Sequence, residues 1–178
     1  MKSVTERVYL TDFILACLAY CLFVGSDSIV KYLGSDYSIV QIIFVNSWFA
    51  LIPIVLYTQT LNGWRKLKKA NFTVHFFRAL TMALALFFGY TGFYRLPMVT
   101  MYSIVFLIPL MITIGSVFFL GEVVRWKRFT AILIGFIGAI ISINPFGTEY
   151  NNYIFLALFC PIFASASYLI VRKYGLKE

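Results

Sequence analysis

Charge is the scarcest resource of this sequence. Charged residues make up 12% of its 178 residues, about half the share of an ordinary soluble domain. Acidic groups are rarest, with seven Asp and Glu against fifteen Lys and Arg. There is one histidine, His75, and it lies beside a basic cluster with no HExxH pattern or paired carboxylates around it. No phosphate-cradling loop is present either. These absences leave no catalytic constellation, so the sequence predicts neither an enzyme nor a metal site nor a bound cofactor. Cysteine is equally sparse: Cys17, Cys21 and Cys160 all fall inside apolar runs. That placement excludes a disulfide framework and a zinc pattern and suits small, lipid-buried side chains.

What the chain has instead is grease. Hydrophobic residues make up 61% and mean hydropathy is +0.87, more than the interior of a water-soluble fold of this size accommodates. Apolar segments recur at about 11–33, 38–61, 76–94, 98–120, 126–145 and 153–171, each about one bilayer span of 20 residues. Bilayers admit only helices and closed barrels. Barrel strands alternate apolar and polar side chains, whereas Ala131 to Ile143 is apolar throughout except for Gly135, Gly138 and Ser142. The expected fold class is therefore all-α integral membrane, with about six transmembrane helices and the lipid bilayer as first partner.

The net charge of +8 raises the question of nucleic acid, and the placement of the basic residues answers against it. They sit between the apolar runs: Arg65, Lys66, Lys68 and Lys69; then Arg125, Lys127 and Arg128; then Arg172, Lys173 and Lys177. Counted across six spans, these groups, with Lys2, Arg7 and Arg78, fall on one side, and only Lys31 and Arg95 on the other. The positive-inside rule then places the N-terminus and the end of the sixth span in the cytoplasm, as expected of a multi-pass protein of the cell (inner) membrane. The opening, Lys2 and Arg7 before an apolar run, looks like a signal peptide. Several equally apolar segments follow at once, which favours an uncleaved first helix.

Ile29-Val30-Lys31-Tyr32-Leu33-Gly34, which closes the first span, is echoed by Ile170-Val171-Arg172-Lys173-Tyr174-Gly175, which closes the sixth. Helices one and six would cross the membrane in opposite directions, the pattern of an inverted repeat in secondary transporters. Between them lie Arg78; Gly89 and Gly92; Leu96-Pro97; Ile108-Pro109-Leu110; Gly121-Glu122; Gly135-Phe136-Ile137-Gly138; and Asn144-Pro145. In this order the stretch resembles the EamA-type repeat of the drug/metabolite transporter superfamily.

The resemblance implies ten helices in two inverted five-helix repeats, with a small-molecule substrate held between them. Residues 1–146 would then be the first repeat and 147–178 the start of the second. It also departs from the pattern: where the family commonly has an arginine in the second helix, this chain has Asn46. The general look is nearest to the branch with S-adenosylmethionine uptake carriers. The function expected from it is secondary transport of a small metabolite by the N-terminal part of a permease. The alternative is a truncated, inactive membrane fragment or an accessory subunit of a split transporter, partnered by a second half-transporter chain or by copies of itself. On that view the sixth helix would leave Ala164, Ser165, Ala166 and Ser167 unpartnered.

Seven residues stand out as candidates, each with a structural reading beside the functional one. Asp27 and Lys31, four apart, share a helix face and can pair inside the membrane; such groups usually face a cavity or bundle interior, although Lys31 can also snorkel to the interface. Asn46, near the middle of the second helix, can donate to and accept from a polar solute, or join helices by hydrogen bonding. Tyr90 can stack on a planar ligand, as can Tyr94 and Tyr102, which an aromatic belt at the interface also explains. Arg78 and Glu122 lie at the cytoplasmic ends of helices three and four, where a salt bridge would close the inner face and simple anchoring is the plainer role. Pro109 is expected to bend helix four by removing a backbone hydrogen bond.

Overall fold

A computed structural model describes residues 2–60, 71–122, 126–143 and 152–174. Among the described residues every regular element is a helix: α1 (Lys2–Leu33), α2 (Ile39–Thr60), α3 (Phe72–Arg95), α4 (Met98–Val105), α5 (Leu107–Leu120), α6 (Trp126–Ile143), α7 (Tyr153–Ala157) and α8 (Phe159–Tyr174). Five stretches are long and apolar enough to cross a bilayer: Thr11–Leu33, Ile39–Gln59, Phe72–Arg95, Met98–Leu120 and Tyr153–Tyr174. Within α6 the apolar stretch is shorter, Phe129–Gly138. The all-α membrane fold is thus borne out. The basic cluster from Arg65 to Lys69, Arg125, the Asn144-Pro145 motif and the boundary expected after residue 146 lie outside the described residues, as do the side chains of Lys127 and Arg128.

Two of the spans are each built from two helices, for one physical reason. Phe106 separates α4 from α5 three residues before Pro109, and Leu158 separates α7 from α8 three residues before Pro161. A proline has no N–H for the carbonyl four residues back, and its ring crowds that carbonyl. The carbonyls concerned belong to Val105 and Ala157, the last residues of the two leading helices. Hydrogen bonds from Phe106 N to the Tyr102 carbonyl (2.9 Å) and from Leu158 N to the Ile154 carbonyl (3.0 Å) carry the chain across each break. Pro53 lies within α2, which is continuous.

α3 is the hub of the bundle, with α1 and α2 on it and α7 and α8 along it; α8 also packs on α5. Small residues permit these approaches. A Cβ on Gly92 would come within 2.5 Å of Met101 Sδ and 3.2 Å of the Ala157 Cβ, and one on Gly115 would collide with Leu169. A buried apolar cluster, Phe93, Leu96, Met101, Ile104, Ala157 and Cys160, joins α3, α4, α7 and α8.

The small-residue face of the sixth span is therefore not unpartnered, contrary to the expectation above. Ala164, Ser165 and Ser167 are all buried, because small side chains are what let α8 seat on α3 and α5. Ser167 Oγ donates to the Arg78 carbonyl across that interface at 3.3 Å. In contrast, α1 from Thr11 to Gly25 and α2 from Phe44 to Tyr57 are exposed throughout, which lipid tolerates as readily as protein.

The ends of α1 and α3 and the starts of α2 and α4 meet at one end of the bundle, which we call the turn end. There Gly34 lies so close to Tyr94 that a Cβ on it would sit 2.6 Å from the ring. α8 ends at the opposite side, where Arg172 meets Glu122. α1 and α8 accordingly run in opposite directions.

Candidate functional site

Four polar side chains from four helices lie at similar depth below the turn end. At 1.5 Å per residue, Asp27 is roughly 9 Å from the end of α1, Asn46 roughly 10 Å from the start of α2, Tyr90 roughly 8 Å from the end of α3 and Tyr102 roughly 6 Å from the start of α4. Tyr102 Oη donates to Asp27 Oδ2 at 2.9 Å, and Asn46 Nδ2 donates to Tyr90 Oη at 2.9 Å. The phenol of Tyr102 is held edge-on against Phe93, with ring centroids 5.1 Å apart. Tyr90 is buried on Val30 and Ile42, which lock its ring between α1 and α2. The result is a polar belt running from α4 through α1 to α3 and α2.

The belt does not line a single cavity. Between α1 and α2 lies an open cleft of about 650 Å³ whose polar lining residues include Ser26, Gln41 and Asn46, among apolar neighbours such as Leu22, Ile29 and Phe49. Asn46 faces this cleft with Tyr90 behind it. Asp27 and Lys31 project from another face of α1, toward α4 and the end of α3. A polar solute in the cleft would meet the unengaged oxygen of the Asn46 amide, and one entering between α1 and α4 would meet the Asp27 carboxylate.

Asp27 and Lys31 make no ion pair with each other. The Lys31 ammonium donates to the Leu96 carbonyl at 2.7 Å and reaches the Phe93 carbonyl at 3.5 Å. These carbonyls at the end of α3 have no partner within the helix and carry the negative end of its dipole, so they compete successfully for the ammonium. Lys31 is half-buried and clamps α1 to the α3–α4 turn, where Leu96 is 1% exposed.

At the opposite end, the Arg78–Glu122 bridge considered from sequence does not form, because Glu122 is taken by Arg172, with Nη2 to Oε2 at 2.9 Å. Gly121 positions the carboxylate: its φ of 68° ends α5 in the left-handed conformation, and Glu122 N donates back to the Ser116 carbonyl at 3.3 Å. That cap fits a glycine, which alone adopts positive φ without steric cost. Arg78 is exposed on α3. Pro109 lines a separate groove of about 410 Å³ between α5 and α6, together with Phe106, Leu110, Thr113 and Gly135.

Sequence reasoning gave Tyr102 only an aromatic role and missed its contact with Asp27. The signal was available in part: a carboxylate inside a membrane needs a donor, and Tyr102 lies on the helix that turns back just after α3. Arg172 was read as a topology signal and as part of the internal echo, not as the partner of Glu122, since nothing in the sequence gives the angular position of α8.

Residues 11–144 match the EamA-like transporter family. The chain is 31% identical over 179 aligned positions to the S-adenosylmethionine uptake transporter of Rickettsia conorii, covering 97% of this chain and 58% of that protein. It is 30% identical to the protein of that name in Rickettsia felis, with the same coverage. To the riboflavin transporter of Vibrio cholerae it is 26% identical over 83% of this chain and 50% of that protein. The chain thus spans a little over half the length of these Rickettsia relatives. No solved structure matches it. With its membrane-spanning helices and a match over most of its length, the chain belongs to the EamA-like transporter family.

Proposed function

We propose that the chain supplies one half of a secondary transporter for a small polar metabolite, with S-adenosylmethionine as the first candidate. Residues 1–146 form the first repeat and the helices after residue 147 begin the second. The substrate site lies between the repeats, whose rocking gives alternating access. Its second wall comes from helices equivalent to the remaining length of the relatives, whether on the same polypeptide, on a half-transporter chain or on another copy. The protein resides in the cell (inner) membrane with its N-terminus in the cytoplasm, as the distribution of Lys and Arg favours.

The observation that carries this reading is the polar belt. Asp27, Tyr102, Tyr90 and Asn46 lie at one depth inside apolar helices and hydrogen-bond across helix boundaries. Polar and ionisable groups at membrane depth are costly, so their concentration at one level marks a solute path. The names of the Rickettsia relatives supply the candidate substrate.

The test joins this chain to the part of the Rickettsia conorii relative beyond the matched region and measures uptake of labelled S-adenosylmethionine in cells. The intact relative serves as positive control, and the 178-residue chain is measured alongside. Saturable uptake by the joined protein, reduced by Asn46→Ala at equal membrane abundance, is the expected result. Background uptake of S-adenosylmethionine and of riboflavin by a joined protein that reaches the membrane would overturn the proposal.

A further inference from the structure

The charge balance of the belt says which solutes it suits. Asp27 projects from α1 toward Tyr102 on α4, and the titratable or charged groups around it can be named. They are Lys31 one turn along α1, Tyr102 on α4, Tyr90 on α3, which packs on Val30 of α1, and Cys160 on α8, buried with Phe93. From α2 comes only the neutral amide of Asn46, engaged with Tyr90. Arg95, at the end of α3, stacks on the rings of Tyr94 and Tyr153.

Of these groups only Lys31 is a nearby cation, and its ammonium is spent on the carbonyls of Leu96 and Phe93. Its charge is matched by the end of the α3 dipole rather than by Asp27. Among the described residues no Lys, Arg or His lies within salt-bridge distance of the Asp27 carboxylate. One of its oxygens accepts from Tyr102, and the other has no donor among the described residues. A half-buried carboxylate inside a membrane has two ways to be neutralised, by a proton or by a cation that arrives from solution.

We propose that Asp27 is the cation-selecting group of the transport site, and that a proton and a positively charged solute compete for its carboxylate. The inference rests on the transport reading and deepens it. In the exchange, the Asp27 carboxyl O–H bond breaks, the proton leaves to water, the electron pair stays on the carboxylate oxygen, and the incoming cation pairs with it. Charge in the site is conserved, because one positive charge replaces another. Tyr102 keeps its hydrogen bond throughout and holds the carboxylate toward the gap between α1 and α4.

The experiment uses the joined protein of the transport test, reconstituted in lipid vesicles, with two probes of nearly the same shape. S-adenosylmethionine carries a sulfonium charge, and S-adenosylhomocysteine, lacking that methyl group, does not. Dicyclohexylcarbodiimide, which modifies protonated carboxyls in apolar surroundings, is expected to label Asp27, as read by mass spectrometry. S-adenosylmethionine is expected to protect against labelling and S-adenosylhomocysteine is not.

Binding of both probes is measured in parallel by equilibrium dialysis. Asp27→Asn is expected to lower the preference for the charged probe about tenfold or more, the scale of a close charge pair, while Asp27→Glu retains it. No labelling of Asp27, equal protection by the two probes, or an unchanged preference in Asp27→Asn would each overturn this inference while leaving the transport reading intact. Failure of the joined protein to bind S-adenosylmethionine at all would count against both.

Discussion

A methyl group placed at Gly34 tests how tightly the turn end is built. The Cβ of Gly34→Ala would sit 2.6 Å from Tyr94 Cδ2, 2.8 Å from Cγ and 3.1 Å from Cβ. Rotating the ring relieves the first contact but not the last, which is fixed to the α3 backbone, so α1 has to back away from α3. Overpacking of this kind costs about 1–3 kcal/mol, offset by up to about 1 kcal/mol from the stiffer unfolded chain. The net expectation is a loss of about 1–2 kcal/mol, or a drop of about 2–8 °C in unfolding midpoint for a chain of this size. Gly25→Ala on the same helix is the control, since a Cβ there meets nothing within 4 Å. With Cys17 and Cys21 replaced by serine, buried Cys160 becomes the sole thiol, and its reaction with a fluorogenic dye on heating in detergent reports the midpoint. Equal midpoints for Gly34→Ala and Gly25→Ala would refute the close approach of α1 to α3.

Asn46→Ala removes the donor to Tyr90; by the scale of membrane hydrogen bonds it should cost about 0.6 kcal/mol and at most about 1.7, read as a small midpoint shift in the same assay. The Arg172–Glu122 pair has side chains 39% and 33% exposed, so Arg172→Ala should cost no more than about 1 kcal/mol. Charge exchange, Arg172→Glu with Glu122→Arg, should recover most of that loss at low salt, and a double mutant worse than either single change would argue against the pair. For topology, Lys66→Cys should label from the cytoplasm and Glu149→Cys from outside in a cysteine-free background; the reverse would invert the orientation. Both positions lie outside the described residues.

The helices were legible because apolar length and the spacing of basic residues are one-dimensional quantities. The family was legible because its glycines and prolines mark turns and close contacts along the chain. Azimuth was not. Which cation Glu122 meets depends on the rotation of α8 about its axis, and that rotation is set by Ala164, Ser165 and Ser167 seating on α3 and α5. Asp27 and Lys31 likewise satisfied the spacing for a pair, but spacing says nothing of a competing acceptor on another helix. The break at Leu158 was legible in principle, since Pro161 stands to it as Pro109 stands to Phe106.

The clamp of Lys31 on the α3–α4 turn also has a mechanical side. Near Gly34 the first helix is pressed on Tyr94 and tied to the Leu96 carbonyl, while from Thr11 to Gly25 its side chains are exposed all round. Such a helix behaves as a lever with its fulcrum at one membrane surface. The stretch from Thr11 to Lys31 makes an arm of roughly 30 Å, so a tilt of about 10° at the fulcrum carries the far end roughly 5 Å while Asp27, one turn from the pivot, moves only about 1 Å. Opening at one face of the membrane and a steady grip on the solute at the other can thus be motions of the same rod.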